Sequence, residues 1–109
     1  MELNDYQSAA LRTAAPRDKP NEVFHLILGL IGEAGEIAEK AKKIVRDDAS
    51  DFAQWDRADI VKELGDTLWY LAVLADHFGV SLEDVGRTNI RKLADRQSRG
   101  VLGGSGDDR

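Results

Sequence analysis

The sequence has no cysteine and no long apolar run. The lack of cysteine excludes disulfides, thiolate metal sites and cysteine nucleophiles. No apolar stretch approaches the roughly 20 residues of a membrane span, and the N-terminus lacks a signal-peptide pattern. We therefore expect a soluble, cytoplasmic protein with no membrane partner.

The chain also lacks an excess of basic residues. It has 15 Lys and Arg against 20 Asp and Glu, which gives a net charge of −5. A surface that binds a nucleic acid polymer is normally basic, so we expect no such partner. A small anionic substrate is compatible with this charge if a few placed cations or a metal ion hold it. The 109 residues suit one domain with a modest core, which oligomerisation would enlarge.

Apolar residues recur with helical spacing, and no segment alternates in the manner of a strand. We predict four helices and hence an all-α, four-helix bundle-like fold. The helices are expected from about Asn4 to Ala15, from the capping residue Asn21 to about Asp47, from Arg57 to Phe78, and from the capping residue Ser81 to about Arg99.

Proline and glycine mark the breaks between these helices. Pro16 and Pro20 separate the first helix from the second, and Gly79 ends the third. The C-terminal "GVLGGSGDDR" has four glycines and no periodicity. This composition predicts a flexible tail at residues 101–109, which follows a single domain of residues 1–100.

Two pairs of acidic residues have the same spacing on the two central helices. Glu33 and Glu36 lie in "GLIGEAGEIAEKAKK", and Glu63 and Asp66 lie in "KELGDTLWYLA". Residues three apart share a helix face, and each pair falls at the margin of an apolar arc. Glu39 falls on the opposite, polar side of its helix. If the two helices pack through their apolar arcs, four carboxylates converge.

Four converging carboxylates repel one another and are costly to desolvate. They can share protons or bind a divalent cation, and ligands that are all oxygen favour Mg²⁺ or Mn²⁺ over zinc. We interpret Gly32, Gly35 and Gly65 as positions without side-chain bulk, where the helix backbones approach closely and leave room for a substrate. The competing interpretation treats the acids as ordinary surface charges.

The motifs "GEAGE" and "ELGD" resemble the ExxE and ExxD motifs of the MazG-like nucleoside triphosphate pyrophosphohydrolases, members of the all-α NTP pyrophosphatase superfamily. The segments "YQSAALRTA", "LGLIGEAGEIAE" and "NIRKLADRQSRG" also resemble this family, so the resemblance covers most of the chain. It implies a MazG-type fold and a substrate that is a ribo- or deoxyribonucleoside triphosphate. Hydrolysis between the α and β phosphates would release a monophosphate and pyrophosphate, in nucleotide-pool control or house-cleaning.

The resemblance also implies roles for the four acids. Glu33, Glu36, Glu63 and Asp66 match the residues that hold Mg²⁺, with Mn²⁺ as the other candidate cofactor. The ion would neutralise phosphate oxygens and activate water. We assign Glu36 the further catalytic role of orienting the water. The sequence departs from the family pattern at Gly32, where many relatives have another glutamate, and this leaves the number of ions open.

Five further residues are candidates for substrate binding. Asn89, Lys92 and Arg96 form one stripe on the fourth helix, and spacing alone favours a solvated basic face. The resemblance favours Lys92 and Arg96 as anchors of the β and γ phosphates, and Asn89 as a contact to phosphate or sugar. Tyr70 and His25 lie on the helices that carry the acids, where a structural role competes with a substrate contact.

Two other functions remain open at this point. A non-catalytic helical oligomerisation or adaptor module would use the acids as surface charges, and a metal-binding regulatory protein would bind the ion without releasing pyrophosphate. The apolar arcs of the two central helices are broader than one small unit covers, which predicts a homodimer or homotetramer.

Overall fold

The computed structural model describes residues 1–15 and 20–109. This part of the chain contains helices and no strand, so the predicted all-α fold is confirmed. The helices are α1 (Leu3–Leu11), α2 (Glu22–Asp47), α3 (Arg57–His77) and α4 (Leu82–Ser98), with one 3₁₀ turn at Phe52–Gln54. We find no candidate membrane-spanning helix in the described residues. The predicted break at Pro16 lies outside the described residues.

Local backbone chemistry sets the ends of the later helices. The Ser81 hydroxyl accepts a hydrogen bond of 3.1 Å from the Asp84 N–H, as predicted for the cap of α4. Gly79 follows α3 with a φ of 69°, a left-handed conformation that suits glycine. Asn21 also has a φ of 69°, and its side chain makes no capping bond to α2. The predicted side-chain cap is therefore wrong, because a capping residue normally has extended backbone angles.

The first helix ends at Leu11, four residues before the predicted end at Ala15. Both the N–H and the hydroxyl of Thr13 donate to the Ala10 carbonyl, at 3.1 and 2.8 Å, and close the helix in a tight turn. The same hydroxyl accepts a bond of 2.8 Å from Nε1 of Trp69 on α3. A contact between distant parts of the chain thus fixes the end of α1.

The central helices α2 and α3 form an antiparallel pair. Gly29, early in α2, faces Tyr70, late in α3. Lys40, later in α2, bonds to Asp59 at the start of α3. Helix α4 packs on α1 and α3 but not on α2 among the described residues. One face of the α2–α3 pair is therefore not covered by the described part of this chain.

The core is small and lies where α1 meets α3 and α4. Its buried apolar residues are Ala10, Ala72 and Leu82. The other buried apolar residues of the described chain are Leu26, Ile44 and Val73. The buried side-chain amide of Gln7 donates hydrogen bonds to the carbonyls of Ala72 and Val80, at 3.0 and 3.1 Å. Its oxygen accepts a hydrogen bond of 2.9 Å from the Leu82 N–H. Because all three bonds are satisfied, this polar side chain ties α1 to the α3–α4 turn at little desolvation cost.

Large apolar side chains remain exposed along the two central helices. They include Phe24, Leu28, Ile31, Val61 and Leu64. The radius of gyration is 16.9 Å, whereas a compact domain of 100 residues has about 13 Å. The single chain therefore leaves open much of the apolar surface that the sequence predicts to be buried.

Gly29 is the glycine that helix packing requires. A Cβ atom there would overlap Cε1 of the Tyr70 ring, because the two atoms would be closer than unbonded carbon atoms can approach. At Gly32, Gly35 and Gly65 a Cβ atom would meet nothing within 4 Å. The interpretation that these three glycines let the helix backbones approach is therefore wrong within the chain.

This difference predicts opposite effects on stability for two identical substitutions. Gly29→Ala is expected to lower the free energy of unfolding, because overpacking costs about 1–3 kcal/mol and exceeds the gain in helix propensity. Gly32→Ala is the control, and it should gain up to about 1 kcal/mol of helix propensity without a clash. Urea unfolding at one protein concentration measures both. A change of the same sign in the two variants would contradict the packing described here.

Candidate active site

Three of the four predicted acids meet where α2 faces α3. One carboxylate oxygen each from Glu33, Glu63 and Asp66 lies within 4.8 Å of the others. Glu33 and Glu63 are half-buried, and Asp66 is exposed. The spacing of three residues puts Glu63 and Asp66 on one face of α3, and the antiparallel pairing brings Glu33 opposite them.

Glu36 lies beside this three-carboxylate group and not within it. Its side chain is exposed. Burial first, and then the charges of Asp66, Glu63 and Glu36, raise the pKa of the Glu33 carboxyl above its ordinary value. Glu36 is thus near enough to act on the group electrostatically. The helical wheel cannot separate the two positions, because both fall at the margin of the same apolar arc.

The three-carboxylate group fits a hard divalent cation. Its donors are all oxygen atoms, which Mg²⁺ and Mn²⁺ prefer. Repulsion among the carboxylates contributes to the raised pKa of Glu33, and a bound cation would relieve that repulsion. Glu33, Glu63 and Asp66 are therefore the residues of this chain that would hold such an ion.

Lys40 links this group to the rest of the α2–α3 interface and was not among the residues predicted from the sequence. Its Nζ donates to Oδ1 of Asp59 at 2.6 Å and to Oε1 of Glu63 at 2.8 Å. The other carboxylate oxygen of Asp59 accepts a hydrogen bond of 3.4 Å from Nε1 of Trp55. The hydrogen bonds to Asp59, and then to Glu63, raise the pKa of the Lys40 amine. The hydrogen bond from Lys40 lowers the pKa of the Asp59 carboxyl. The sequence signal that could have found Lys40 is its position four residues after Glu36, which places both side chains on the same face of α2. This spacing does not indicate the bonds to Asp59 and Glu63 on α3.

Removal of Lys40 is expected to destabilise the protein most when no metal is present. Lys40→Met leaves Asp59 and Glu63 without their cation, so the melting temperature in EDTA should fall. Lys42→Met is the control, because Lys42 forms an exposed ion pair of 3.0 Å with Glu39 on its own helix. Thermal melting of both variants in EDTA tests this. Equal shifts would mean that Lys40 is one more surface charge, whereas partial recovery of Lys40→Met in Mg²⁺ would support its role as a counter-charge.

Tyr70 and His25 have different surroundings. Tyr70 is half-buried against Gly29, and its ring meets Trp69 edge-on, with 4.9 Å between ring centroids. The side chain of His25 is exposed in the first turn of α2. The backbone N–H of His25 donates a hydrogen bond of 3.1 Å to the Asn21 carbonyl. Tyr70 therefore contributes to helix packing within this chain, and the side chain of His25 is exposed.

The stripe on α4 meets the C-terminal segment. Nη2 of Arg96 donates to the Asp107 carbonyl at 2.5 Å, and Nζ of Lys92 lies 3.2 Å from the Asp107 carboxylate. Asn89 is exposed, and with Lys92 it lines an open pocket of about 420 Å³ along α4. The predicted flexibility of residues 101–109 is not confirmed, since this segment is folded against α4.

Helix α3 connects the stripe to the three-carboxylate group, because it carries Glu63 and Asp66 and packs on α4. Helix α4, which carries Asn89, Lys92 and Arg96, packs on α1 and α3 and does not reach α2 in the described part of the chain. The structure therefore does not join the stripe to Glu33 by direct helix packing. The resemblance assigned the stripe and the acids to one substrate, and helical spacing alone gave no information about the distance between them.

Comparison with known proteins places these features in a family. Residues 22–101 match the model of the MazG nucleotide pyrophosphohydrolase domain. The chain is 44% identical to the Gene 37 protein of Mycobacterium phage L5 over 114 residues, with 100% of both chains covered. It is 41% identical over 73 residues to the uncharacterized protein YvdC of Bacillus subtilis (strain 168), with 62% of this chain and 68% of that protein covered. No solved structure gives a significant match. The matched range contains α2, α3 and α4, so the resemblance seen in the motifs is confirmed.

Proposed function

Because the chain belongs to the MazG nucleotide pyrophosphohydrolase family, we propose that it hydrolyses ribo- or deoxyribonucleoside triphosphates to monophosphate and pyrophosphate. The proposed cofactor is Mg²⁺, with Mn²⁺ as the alternative. The supporting observation is the convergence of Glu33, Glu63 and Asp66, whose carboxylate oxygens lie within 4.8 Å of one another. Nucleotide-pool control or house-cleaning in the cytoplasm would follow from this activity.

The acids have two proposed roles. Glu33, Glu63 and Asp66 would hold the ion, which when bound neutralises phosphate oxygens and makes water a better nucleophile. Glu36 is exposed beside them. Its carboxylate can therefore accept a proton from the water that attacks the α phosphorus. In this proposal Glu36 acts as the catalytic base, and the other three acids bind the metal ion.

The remaining contacts would hold the nucleotide. Lys92 and Arg96 would bind the β and γ phosphates through charge-assisted hydrogen bonds and keep pyrophosphate together as the leaving unit. Asn89 would contact phosphate or sugar, and Tyr70 and His25 would contact sugar or base. The chain lacks the glycine-rich GxxxxGK[ST] loop of many enzymes that cleave the terminal phosphate.

A substrate screen tests the proposed activity. Pyrophosphate release is measured with each common ribo- and deoxyribonucleoside triphosphate, in Mg²⁺ and in excess chelator. We expect release from at least one triphosphate in Mg²⁺ and none in chelator. Metal-dependent stabilisation without release from any of them would favour a metal-binding regulatory module and would contradict the proposed reaction.

We also propose that the protein is a symmetric homo-oligomer, with a dimer as the minimum. Apolar side chains on α2 and α3, among them Leu28, Ile31 and Leu64, are not covered by residues 1–15 or 20–109. A second copy would cover the same patch on both chains through a two-fold axis. Light scattering at micromolar concentration should give at least twice the 12.0 kDa chain mass. A monomer mass would reject this assembly.

A further inference from the structure

The C-terminal segment, residues 101–109, is held in a closed loop by its last residue. The Arg99 guanidinium donates to the Arg109 carbonyl at 2.7 Å. Positive φ values of 95° at Gly104 and 88° at Gly106 allow the chain to reverse. The Arg109 guanidinium donates to the carbonyls of Val101, Leu102, Gly103 and Gly106. The segment is therefore a built structure, and most of it lies beyond the range that the family model matches.

Arg96 holds this loop from the side of α4. It is only 4% exposed, and its Nη2 donates to the carbonyls of Gly106 and Asp107 at 3.4 and 2.5 Å. Its Nε is buried and has no hydrogen-bond partner among the described residues. Buried guanidinium donors are normally paired, so the hydrogen-bonding capacity of Arg96 is not fully used by the loop.

The carboxylate of Asp107 forms ion pairs with two cationic side chains, those of Lys92 and Arg96. Its Oδ1 is 3.2 Å from Nζ of Lys92 and 3.3 Å from Nη2 of Arg96. Hydrogen bonds from Lys92 and then Arg96 lower the pKa of Asp107, so it is ionised at neutral pH. The Asp107 side chain is 84% exposed, and Lys92 is 39% exposed. Such long, exposed ion pairs are weak.

A phosphate group is a stronger partner for the same two cations. It carries more negative charge than a carboxylate and presents three acceptor oxygens to Lys92 and Arg96. The Asp107 side chain can rotate into solvent while the short bond from Arg96 to the Asp107 carbonyl and the Arg109 contacts keep the loop in place. Exchange of one anion for the other therefore needs no unfolding.

We infer that Asp107 stands in for a phosphate group: its carboxylate occupies the Lys92–Arg96 cation pair until the phosphate chain of a nucleotide displaces it. This inference rests on the proposed function, since it takes Lys92 and Arg96 as phosphate anchors. The carboxylate weakens the binding of every phosphate ligand and returns to the cations when pyrophosphate leaves. It thus assists product release and lets only ligands with several phosphate charges compete well.

Calorimetric titration with inorganic pyrophosphate tests this competition. The titration is done on the full chain in EDTA and low salt, so that no metal ion contributes to binding. Asp107→Asn should tighten pyrophosphate binding by about fivefold, the upper end for loss of one exposed ion pair. Asp108→Asn is the matched control, because it removes the same charge one residue away and should change binding less than twofold. Lys92→Gln should weaken binding.

The results of these titrations decide between competition by Asp107 and a surface charge without a role in anion binding. Equal effects of Asp107→Asn and Asp108→Asn, no effect of Asp107→Asn, or no detectable pyrophosphate binding would overturn the inference. Should the Asn variant fail to fold, Asp107→Ala carries the same expectation. The proposed reaction fails separately, if the wild-type chain in Mg²⁺ releases pyrophosphate from no nucleoside triphosphate. A specific effect of Asp107 would then still show that it competes for an anion site.

Discussion

Glu36→Gln is expected to reduce turnover of a nucleoside triphosphate by about 10²–10⁴-fold, the usual contribution of a positioned general base. The amide keeps the shape of the side chain but cannot accept the proton. Because Glu36 is exposed and lies outside the three-carboxylate group, the fold and the effect of Mg²⁺ on melting should remain. The measurement is kcat in saturating Mg²⁺, with thermal melting of the same samples.

Glu39→Gln is the matched control for this loss. Glu39 lies three residues further along α2, where it pairs with Lys42 at the surface, and its replacement should be nearly silent. Glu33→Gln is the second comparison, because it should lose both turnover and stabilisation by Mg²⁺. Similar activity losses in Glu36→Gln and Glu39→Gln would show that Glu36 has no special role. A loss of Mg²⁺ stabilisation in Glu36→Gln as large as in Glu33→Gln would make Glu36 a metal ligand instead of the base.

Saturating Mg²⁺ is expected to stabilise the folded protein by about 2.7 kcal/mol when its concentration is a hundred times the dissociation constant. The physical reason is that the ion binds Glu33, Glu63 and Asp66 only where folding brings them together. The measurement is the free energy of unfolding in urea, in Mg²⁺ and in EDTA at the same ionic strength. Glu33→Gln and Asp66→Asn should each lose most of this stabilisation.

Glu39→Gln again supplies the control, since it should keep the full effect of Mg²⁺. Equal unfolding free energies of the wild-type protein in Mg²⁺ and EDTA would rule out the proposed metal site. The chain has a means to remain folded without the ion, because Lys40 already neutralises part of the negative charge through Glu63 and Asp59. Stability in EDTA is therefore compatible with the site, and only the difference between the two conditions tests it.

The sequence predicts those features that depend on neighbours along the chain. The bounds of α2, the Ser81 cap and the shared faces of the two acid pairs follow from helical periodicity and local hydrogen bonding. Convergence of Glu33 with Glu63 and Asp66 needed only one further step, the packing of two apolar arcs. The clash that Gly29 avoids with Tyr70 was not predicted, since it depends on the register between the two helices.

Other features depend on contacts between distant residues, and the sequence gives little signal for them. The end of α1 depends on the bond from Trp69 to Thr13, 56 residues apart. The loop formed by residues 101–109 depends on Arg109 and Arg96, whereas its composition indicates only flexibility. Val73 of α3 is only 1% exposed. A helical wheel does not give this burial, because it shows apolar arcs and not which neighbours cover them.

The central claim is that water attacks the α phosphorus of a nucleoside triphosphate and releases intact pyrophosphate. The most direct measurement is hydrolysis of a deoxynucleoside triphosphate in ¹⁸O-labelled water with Mg²⁺, followed by chromatography and mass spectrometry of the products. The account predicts labelled monophosphate and unlabelled pyrophosphate, with no diphosphate intermediate. Label in the pyrophosphate would place the attack on the β phosphorus, and accumulation of diphosphate with free orthophosphate would place the cleavage at the terminal bond; either result would contradict the account.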